Sequence, residues 1–529
     1  MRIAVIGSGF AGLACAKGLI ERGLKVEMLD VGEELDDDRQ QLRERLRNLP
    51  LEQWEPDSIR RIKENPSFRS RGVPRRRYFG SEFVFSSTRK CLPLNVEGSP
   101  FAPTFAKGGY SIVWGASVLP TADRDLEDWP FARSALDPYY RKVLQKMPMS
   151  ADPSPSDTEF PLFTSHTDPI PFPNQCADFL AKLRKRESEL AKHGVRFERS
   201  RLAVLNSQPG INVGCNSCGL CLYGCVPDAI YSSVPEISDL QAGGYLRYRP
   251  GIAVQEVRET ANTVRVRWQS VKHGAEESEG YEAVFLAAGA LNTTRLLLRA
   301  TASTAATLLD SQKFIMPLLN FSGTQKSLED AKPSFAGVFL DICDPALDPH
   351  WIHGQIYAVN APMLARLGID MDRPRQLRRT ILRPMLDRLM LAWIGLHSSH
   401  SGHLEVTLDE RADMLHVKAV SRPETAQHIR RVARKYWQFG MRVGAAFLLP
   451  AMQIAPPGAG HHIGGSFPMR SDRHQRTDTD IWGRPAGHRR VFAVDSSIFP
   501  SVPATTVALT AMANAWRIAA EAPLPELSV

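Results

Sequence analysis

A glycine-rich turn at the start of the chain constrains the fold more than any other feature of the sequence. An apolar segment leads into G-x-G-x-x-G at Gly7, Gly9 and Gly12, an amphipathic stretch follows, and a second apolar segment ends at Asp30. In such a turn the first glycine allows the tight bend, the second lets a pyrophosphate approach the backbone, and the third lets helix and strand pack closely. The pattern predicts a βαβ unit that binds a dinucleotide, with its phosphates at the helix N-terminus and its ribose on the acid. The turn alone leaves NAD and FAD open.

Length and composition indicate a globular protein of more than one domain. The chain has 529 residues, which is more than one hydrophobic core usually holds. Its content of 43% hydrophobic and 23% charged residues excludes the disordered and membrane classes. The formal net charge of +8 is modest and allows an anionic substrate, but no repeat or recognition module supports a nucleic-acid partner.

The apolar segments do not predict a transmembrane helix. The most apolar candidate, 439–460, contains Arg442 and three prolines. No signal-peptide pattern precedes the first strand, so we expect a cytoplasmic protein. Residues 375–396 are basic and strongly apolar, which favours a core or lid helix and leaves peripheral membrane contact as the alternative. The arginine-rich segment 69–77 favours a solvated surface, with an anion site as the alternative.

The remaining sequence predicts alternating helices and strands. Helices are expected within 33–63 and 177–193, a linker at 153–173, strands within 244–268, a buried strand within 281–290 followed by a helix with Arg295, and mixed strands and long helices over 300–450.

Four separated segments resemble the glucose–methanol–choline (GMC) family of flavin oxidoreductases. The segments are the N-terminal glycine turn, 108–115 with its continuation Trp129-Pro130 and 136–140, 284–295, and 461–465 together with 491–500. The continuation resembles the branch that contains sugar oxidases and dehydrogenases. The resemblance covers most of the chain and indicates FAD, not NAD, as the cofactor. Residues 310–450 resemble the family only in their general character, not in specific motifs.

The resemblance implies an α/β fold with a Rossmann-type FAD-binding domain, discontinuous in sequence, and a mixed sheet-and-helix substrate domain. The FAD-binding domain is expected to comprise 1–150, 200–305 and 455–529, and the substrate-binding domain 151–199 and 306–454.

The resemblance also implies which residues surround the FAD. Gly108 and Gly109 would lie along the flavin, in the segment that also contains Trp114, and Asp495 would lie near the ribityl chain and pyrophosphate. It further implies that the backbone of Val254 contacts the adenine and that the turn Ala288-Gly289 contacts the adenosine half of FAD. Since 108–115 contains neither His nor Cys, we expect the FAD to be bound non-covalently.

Oxidation of an alcohol by a flavin needs a base for the hydroxyl proton, and histidine suits this role because its pKa lies near neutrality. The H-x-x-G histidine of the family maps to His461, and its neighbour His462 is expected to point elsewhere. The family's second His or Asn falls on Ala504, which cannot hydrogen-bond a substrate oxygen through its side chain. Thr505, Thr506 or a residue of the substrate domain is the alternative donor.

Four cysteines are crowded into eleven residues. Cys215, Cys218, Cys221 and Cys225 have the spacing C-x2-C-x2-C-x3-C, close to the run of bacterial ferredoxins. The run resembles that of GMC dehydrogenases with an iron–sulfur cluster, which favours such a cluster, held by all four cysteines or by three and an outside ligand. A structural zinc site is the second interpretation and a metal-free loop the third.

The sequence therefore predicts an FAD-dependent dehydrogenase that oxidises a hydroxyl of a sugar, polyol or other alcohol. A cluster beside the flavin favours a protein or quinone electron acceptor over oxygen. The alternatives are a flavoenzyme that reduces, isomerises or dehydrogenates at carbon, and an electron-transfer subunit of a complex.

Overall fold

The computed structural model describes residues 2–63, 82–85, 92–153, 159–207, 213–322, 334–359 and 384–524. The helices in these ranges are α1 Phe10–Glu21, α2 Asp37–Arg47, α3 Pro56–Lys63, α4 Glu82–Phe85, α5 Asp137–Leu144, α6 Asn174–Arg184, α7 Glu187–Lys192, α8 Ser233–Ala242, α9 Ala290–Ala300, α10 Pro423–Arg442 and α11 Ala508–Glu521. The strands are β1 Ile3–Ile6, β2 Val26–Leu29, β3 Leu94–Glu97, β4 Val195–Arg199, β5 Leu246–Arg249, β6 Ile252–Glu259, β7 Val264–Ser270, β8 Glu276–Tyr281, β9 Ala283–Leu286, β10 Ala305–Asp310, β11 Lys313–Asn320, β12 Ala336–Ile342, β13 His353–Ala358, β14 Leu389–Gly395, β15 His403–Asp409, β16 Met414–Val420, β17 Ala445–Phe447, β18 Gln453–Ile454, β19 Ile463–Gly464 and β20 Val491–Ala493.

A parallel sheet of five strands, in the order β20-β9-β1-β2-β5, forms the first part of the fold. Strands β1 and β9 are buried along their whole length, as expected for a parallel sheet covered on both faces. Helix α1 packs against α11, and Gly18 permits this approach, because a Cβ there would lie 2.8 Å from the Cβ of Ala519. The antiparallel strands β6-β7-β8 lie between β5 and β9 in the chain.

A second sheet, in the order β19-β10-β15-β16-β3, takes strands from both of the domains expected from the sequence. Strands β3 and β19 come from segments assigned to the FAD-binding domain, and β15 and β16 from the segment assigned to the substrate domain.

A third, antiparallel sheet has the order β17-β11-β14-β13-β12-β4, with β18 also paired to β11. Alternate residues of its strands, such as Phe314, Ile356 and Ile394, share a hydrophobic core with Phe179 of α6 and Tyr436 of α10. Because side chains alternate between the two faces of a strand, the intervening residues face away from these helices.

The predicted helix over 375–396 is wrong over Leu389–Gly395. Residues 375–383 lie outside the described residues, and 389–395 form strand β14 in the middle of the third sheet. Leu-Met-Leu-Ala-Trp-Ile is a continuous apolar run, and periodicity alone does not distinguish a buried strand from a helix in such a run. The arginine-rich segment 69–77 also lies outside the described residues.

The predicted strands within 244–268 and the helices within 33–63 and 177–193 are confirmed by β5, β6, β7, α2, α3, α6 and α7. In the region 300–450 the described residues contain one long helix, α10. Among the helices of the described residues, none is long and apolar enough to cross a membrane.

Candidate active site

A cavity of about 420 Å³ lies at the carboxyl edge of the parallel sheet and reaches the third sheet. Its lining includes residues that follow β1, β2, β9 and β20, which is where ligands bind in open parallel sheets. At the other end the cavity is lined by side chains of β11, β13 and β14. Of the residues predicted to bind a cofactor, those lining it are Gly7, Gly9, Asp30, Gly109, Trp114, Val254, Ala288, Gly289 and Asp495.

The three glycines of the first turn differ in what surrounds them. A Cβ on Gly7, whose φ is +103°, would lie 2.4 Å from the carbonyl oxygen of Ala287, and one on Gly12 would lie 2.0 Å from the oxygen of Gly7. A Cβ on Gly9 would meet only the oxygen of Gly108, at 4.0 Å. Gly7 and Gly12 are therefore required by the packing of the protein itself, whereas Gly9 leaves its space open toward the cavity.

Asp30 is partly buried and directly follows β2. Its carboxylate accepts hydrogen bonds from the hydroxyls of Ser8 and, at 3.0 Å, Tyr248. Burial raises the pKa of Asp30 to about 6, and the two hydroxyls oppose that rise. The Oγ of Ser8 also accepts a hydrogen bond of 2.8 Å from the backbone N–H of Gly108. This bond connects the first glycine turn to the segment 108–115.

The segment around Gly109 lies directly over the first turn. A Cβ on Gly109 would be 3.4 Å from the Cα of Gly9. Gly108 and Gly109 have φ values of +84° and +54°, a left-handed conformation that favours glycine. Gly108 itself does not line the cavity, and Trp114 donates its indole N–H to the carbonyl of Tyr231 at 2.8 Å.

Asp495 follows β20 and is buried. Its carboxylate accepts hydrogen bonds from the Thr293 hydroxyl at 2.5 Å and from the Ser497 N–H at 2.9 Å. Burial raises its pKa. Gly289, with φ +82°, begins helix α9 beside it, and no atom lies within 4 Å of the position of its absent Cβ.

Both candidate histidines line the cavity, contrary to the expectation that His462 points elsewhere. The ring of His461 packs against Phe101 and Tyr110, with centroids 5.3 and 5.1 Å apart. The ring of His462 lies within electrostatic range of Lys313 and His353, and burial lowers its pKa well below the usual value. His462 therefore lines the cavity at the end that also contains Lys313 and His353.

Lys313, at the start of β11, is the most informative residue that the sequence analysis missed. Its Nζ donates to the backbone oxygen of Ala504 at 3.1 Å and to the Ser311 hydroxyl at 3.0 Å. Burial lowers the pKa of Lys313 to about 7, which the nearby carboxyl of Asp310 partly opposes. Burial likewise raises the pKa of Asp310.

The neighbouring strand leaves room for this amine. In the register of the sheet, Gly395 of β14 lies between Lys313 of β11 and His353 of β13. A Cβ on Gly395 would be 2.3 Å from the Nζ of Lys313 and 2.9 Å from the Ala504 oxygen.

His353, Gln355 and Tyr357 of β13 also line the cavity. The Nδ1 of His353 lies 2.7 Å from the carboxylate of Asp341, and its Nε2 lies 3.2 Å from the side-chain nitrogen of Gln355. The carboxylate fixes the imidazole with Nδ1–H toward Asp341. The sequence carried a usable signal, because three polar residues at a spacing of two mark one face of a strand.

The two threonines proposed as substitutes at Ala504 differ in placement. Thr506 lines the cavity, and its hydroxyl accepts a hydrogen bond of 2.8 Å from the N–H of Leu119 and donates one of 3.3 Å to the carbonyl oxygen of Leu119. Thr505 does not line the cavity.

The four cysteines lie on one loop at the side of the cavity, and Cys221 lines it. Gly214, Gly219 and Gly224 have φ values of +124°, +72° and +93°, which confirms the predicted turning backbone. Burial raises the pKa of Cys218, and the charges of the other three thiols add to the rise.

Backbone amides point at two of the sulfurs. The N–H of Ala229 donates to the Sγ of Cys225 at 3.2 Å, and the N–H of Ser334 donates to the Sγ of Cys221 at 3.4 Å. Arg43 of α2 donates to the carbonyl of Cys225 at 3.1 Å and anchors the loop.

No family model and no curated protein sequence matches the chain, but solved structures do. Pyridoxine 4-oxidase from Mesorbium loti matches with a TM-score of 0.57 and 14% identity over 98% of both chains. An FAD-dependent oxidoreductase from Chaetomium thermophilum matches with a TM-score of 0.56 and 14% identity, again over 98% of both. The chain has the fold of FAD-dependent oxidoreductases. The α/β fold class predicted from the sequence is confirmed, with a Rossmann-type sheet beside a mixed region of sheets and helices.

Proposed function

We propose that the chain is an FAD-dependent oxidoreductase that oxidises a hydroxyl group of a small molecule. One observation carries the proposal: a single cavity joins the glycine turn of the parallel sheet to His462, Lys313 and His353. The division into an FAD-binding part (1–150, 200–305 and 455–529) and a substrate-binding part (151–199 and 306–454) belongs to the same proposal.

The residues around the cavity fit FAD. The space at Gly9, the N-terminus of α1 and the carboxylate of Asp30 suit a pyrophosphate and a ribose, and Asp495 lies beside the N-terminus of α9. FAD, when bound, supplies the acceptor for a hydride from the carbon that bears the hydroxyl.

His462 is the better candidate for the base, although the prediction from sequence placed this role on His461. The H-x-x-G spacing fits His462 with Gly465 as well as it fits His461 with Gly464. His462 lines the cavity near Lys313 and His353, and burial lowers its pKa so that the imidazole is unprotonated at neutral pH. The ring of His461, in contrast, packs against aromatic side chains.

Lys313 supplies the donor that Ala504 lacks. Its amine contacts the Ala504 carbonyl, so it lies next to the position where the resemblance places the second His or Asn. A cation there stabilises negative charge that develops on the substrate oxygen as the proton leaves. His353, held by Asp341, adds a second polar group on the same face of the sheet.

The lining favours a substrate with a flat or apolar body next to its hydroxyl. Aromatic side chains surround the end of the cavity that holds the histidines and Lys313: Phe101, Tyr110, Phe335, Tyr357 and Trp393. Ring alcohols fit such a lining better than open polyols, and sugars stack on aromatic rings through their apolar faces.

We further propose that the cysteine loop holds an iron–sulfur cluster that relays single electrons to a protein or quinone acceptor. Two N–H···S hydrogen bonds and a turning backbone suit such a cluster. Zinc requires four sulfurs about 3.8 Å apart, from a Zn–S bond of about 2.3 Å. Among these four described cysteines no three sulfurs lie within 4.8 Å of one another, which favours the wider cluster.

The test is reduction of the flavin in anaerobic protein by a panel of pyridoxine, benzyl alcohol, glucose and glycerol. We expect at least one ring-bearing alcohol to remove the visible flavin absorption. We also expect His462→Ala to slow this step about 100-fold or more, while the exposed His474→Ala retains the wild-type rate. Reoxidation of reduced flavin by a keto or enone compound, without reduction by any alcohol, would instead support the alternative chemistry at carbon.

A further inference from the structure

A second group of metal-ligating side chains lies outside the cavity. The side chains are Asp348, His400 and His428, and one ligand atom of each lies within 4.8 Å of the others. The Nε2 of His428 is 2.8 Å from one carboxylate oxygen of Asp348, and the Nε2 of His400 is 3.6 Å from the other. None of the three lines the large cavity.

Three separate elements bring these side chains together. Asp348 follows β12, His400 ends the 3-10 helix Ser398–His400 between β14 and β15, and His428 lies in the second turn of α10. Asp348 and His428 are buried, whereas the side chain of His400 is 34% exposed. The group is therefore held by the fold on one side and reachable from solvent on the other.

Two more imidazoles adjoin the group. The Nδ1 of His350 lies 3.5 Å from Asp348, and its backbone N–H donates to the same carboxylate oxygen at 2.9 Å. The ring of His350 stacks on that of His397, with centroids 3.6 Å apart. The Nε2 of His397 is buried and has no hydrogen-bond partner among the described residues.

We propose that Asp348, His400 and His428 bind one divalent transition-metal ion of the zinc type, with His350 as the adjacent fourth ligand. Imidazole and carboxylate are the ligands that zinc takes in such sites, at about 2.0–2.2 Å. A tetrahedral site with these bond lengths separates its ligand atoms by about 3.4 Å. The separations of 2.8 Å for His428 and 3.6 Å for His400 lie on either side of this value and are measured to the two different carboxylate oxygens of Asp348.

The site has a structural connection to the active site. The backbone N–H of Ser398 donates to the carbonyl oxygen of Val502, and the N–H of Val502 donates to the Ser398 hydroxyl, both at 2.9 Å. Ser398 is next to His397, and Val502 precedes Ala504 by two residues. Leu396 donates to the carbonyl of Gln312, next to Lys313, at 3.1 Å. A metal that holds His400 therefore fixes the loop on which the Ala504 turn and the start of β11 rest. The inference does not depend on the proposed oxidoreductase activity.

The test is calorimetric titration of Zn²⁺ into the full chain after washing with a chelator. We expect one ion per chain at this site, with affinity lowered about 100-fold or more by His400→Ala and by His428→Ala. His416→Ala on β16 serves as the control and should leave this binding unchanged. His400→Ala removes a partly exposed side chain and should fold, which thermal unfolding without metal verifies.

A second readout comes from linkage, because a metal that binds only the folded chain raises its unfolding temperature. Saturating Zn²⁺ should raise the unfolding temperature of the wild type and not that of the double variant His400→Ala with His428→Ala. Absence of binding to the wild type, or wild-type affinity in His400→Ala, would overturn the proposal. Loss of all Zn²⁺ binding in Cys218→Ser would also overturn it, since the ion would then belong to the cysteine loop.

Discussion

Lys313 is the residue at which this chain departs most clearly from the pattern that its sequence resembles. A side-chain donor is missing at Ala504, yet the backbone of Ala504 is contacted by an amine from another sheet. Lys313 is 4% exposed, and burial lowers the pKa of its amine to about 7. A group that changes charge near neutrality suits proton and charge handling at an active site.

Lys313→Met should lower kcat/KM for the hydroxyl substrate about 100-fold, because it removes the cation next to the reacting oxygen. The pH dependence separates this role from packing. The amine loses its proton as the pH rises through about 7, so wild-type activity should fall above that pH. The variant should lack this decline, and the exposed Lys418→Met should behave as wild type. An unchanged alkaline decline in Lys313→Met would refute the assignment.

Gly9 distinguishes binding of the cofactor from stability of the fold. Its φ is −65°, which alanine adopts freely, and its missing Cβ would meet protein only at 4.0 Å. Gly9→Ala should therefore fold normally and lose affinity for FAD, measured as flavin content after dialysis. Gly12→Ala, whose Cβ would lie 2.0 Å from a backbone oxygen, should lose stability as well. Full flavin content in Gly9→Ala would contradict the placement of the pyrophosphate.

At the scale of the element, strand β14 shapes one end of the cavity because it has no side chain at Gly395. Gly395 lies between Lys313 and His353 in the sheet, and Trp393 lies between Ile315 and Gln355. One strand thus provides an aromatic wall at one position and open space two residues later.

Gly395→Ala should reproduce most of the loss caused by Lys313→Met. The new Cβ would lie 2.3 Å from the Nζ of Lys313 and 2.9 Å from the backbone oxygen of Ala504, so it should displace the amine and shift the Ala504 turn. Gly280→Ala on β8 is the matched control, because no atom lies within 4 Å of its Cβ position. Steady-state kinetics and thermal unfolding of both variants decide the matter, and normal kcat/KM in Gly395→Ala would exclude this role for the strand.

The elements around the first turn were predictable from sequence, and those around the substrate end were not. Glycines with a steric requirement, such as Gly7 and Gly12, leave a fixed spacing in the sequence that points to their structure. The sequence of β14 contains no pattern that identifies it as a strand, because its residues are apolar on both faces. Lys313 was equally hidden, since its partner Ala504 lies 191 residues away in the sequence.

At the scale of the whole molecule, the cysteine loop and the end of the cavity proposed to oxidise a hydroxyl lie on one cavity. Cys221 and His462 both line it, although they are far apart in sequence. Such an arrangement allows reduction of the flavin and removal of its electrons to be measured separately.

Cys218→Ser should lose iron while substrate still reduces the flavin at close to the wild-type rate. Turnover with cytochrome c as acceptor should fall roughly tenfold or more, because removing a ligand impairs the centre. Cys343→Ser, outside the loop, should match the wild type in iron content and turnover. Equal iron content in Cys218→Ser and wild type would refute the assignment of this cysteine.

The parallel sheet also determines when the cofactor site is complete during synthesis. Strand β1 is made at residues 3–6, its neighbour β9 at 283–286, and β20, which covers the far edge of β9, only at 491–493. At about 5–20 residues per second, β1 waits roughly 20 to 100 seconds for that last strand. Until then the apolar edge of β9 is open to pairing with other unfinished chains. The proposed cofactor site is therefore completed only after β20 has been made and has paired with β9.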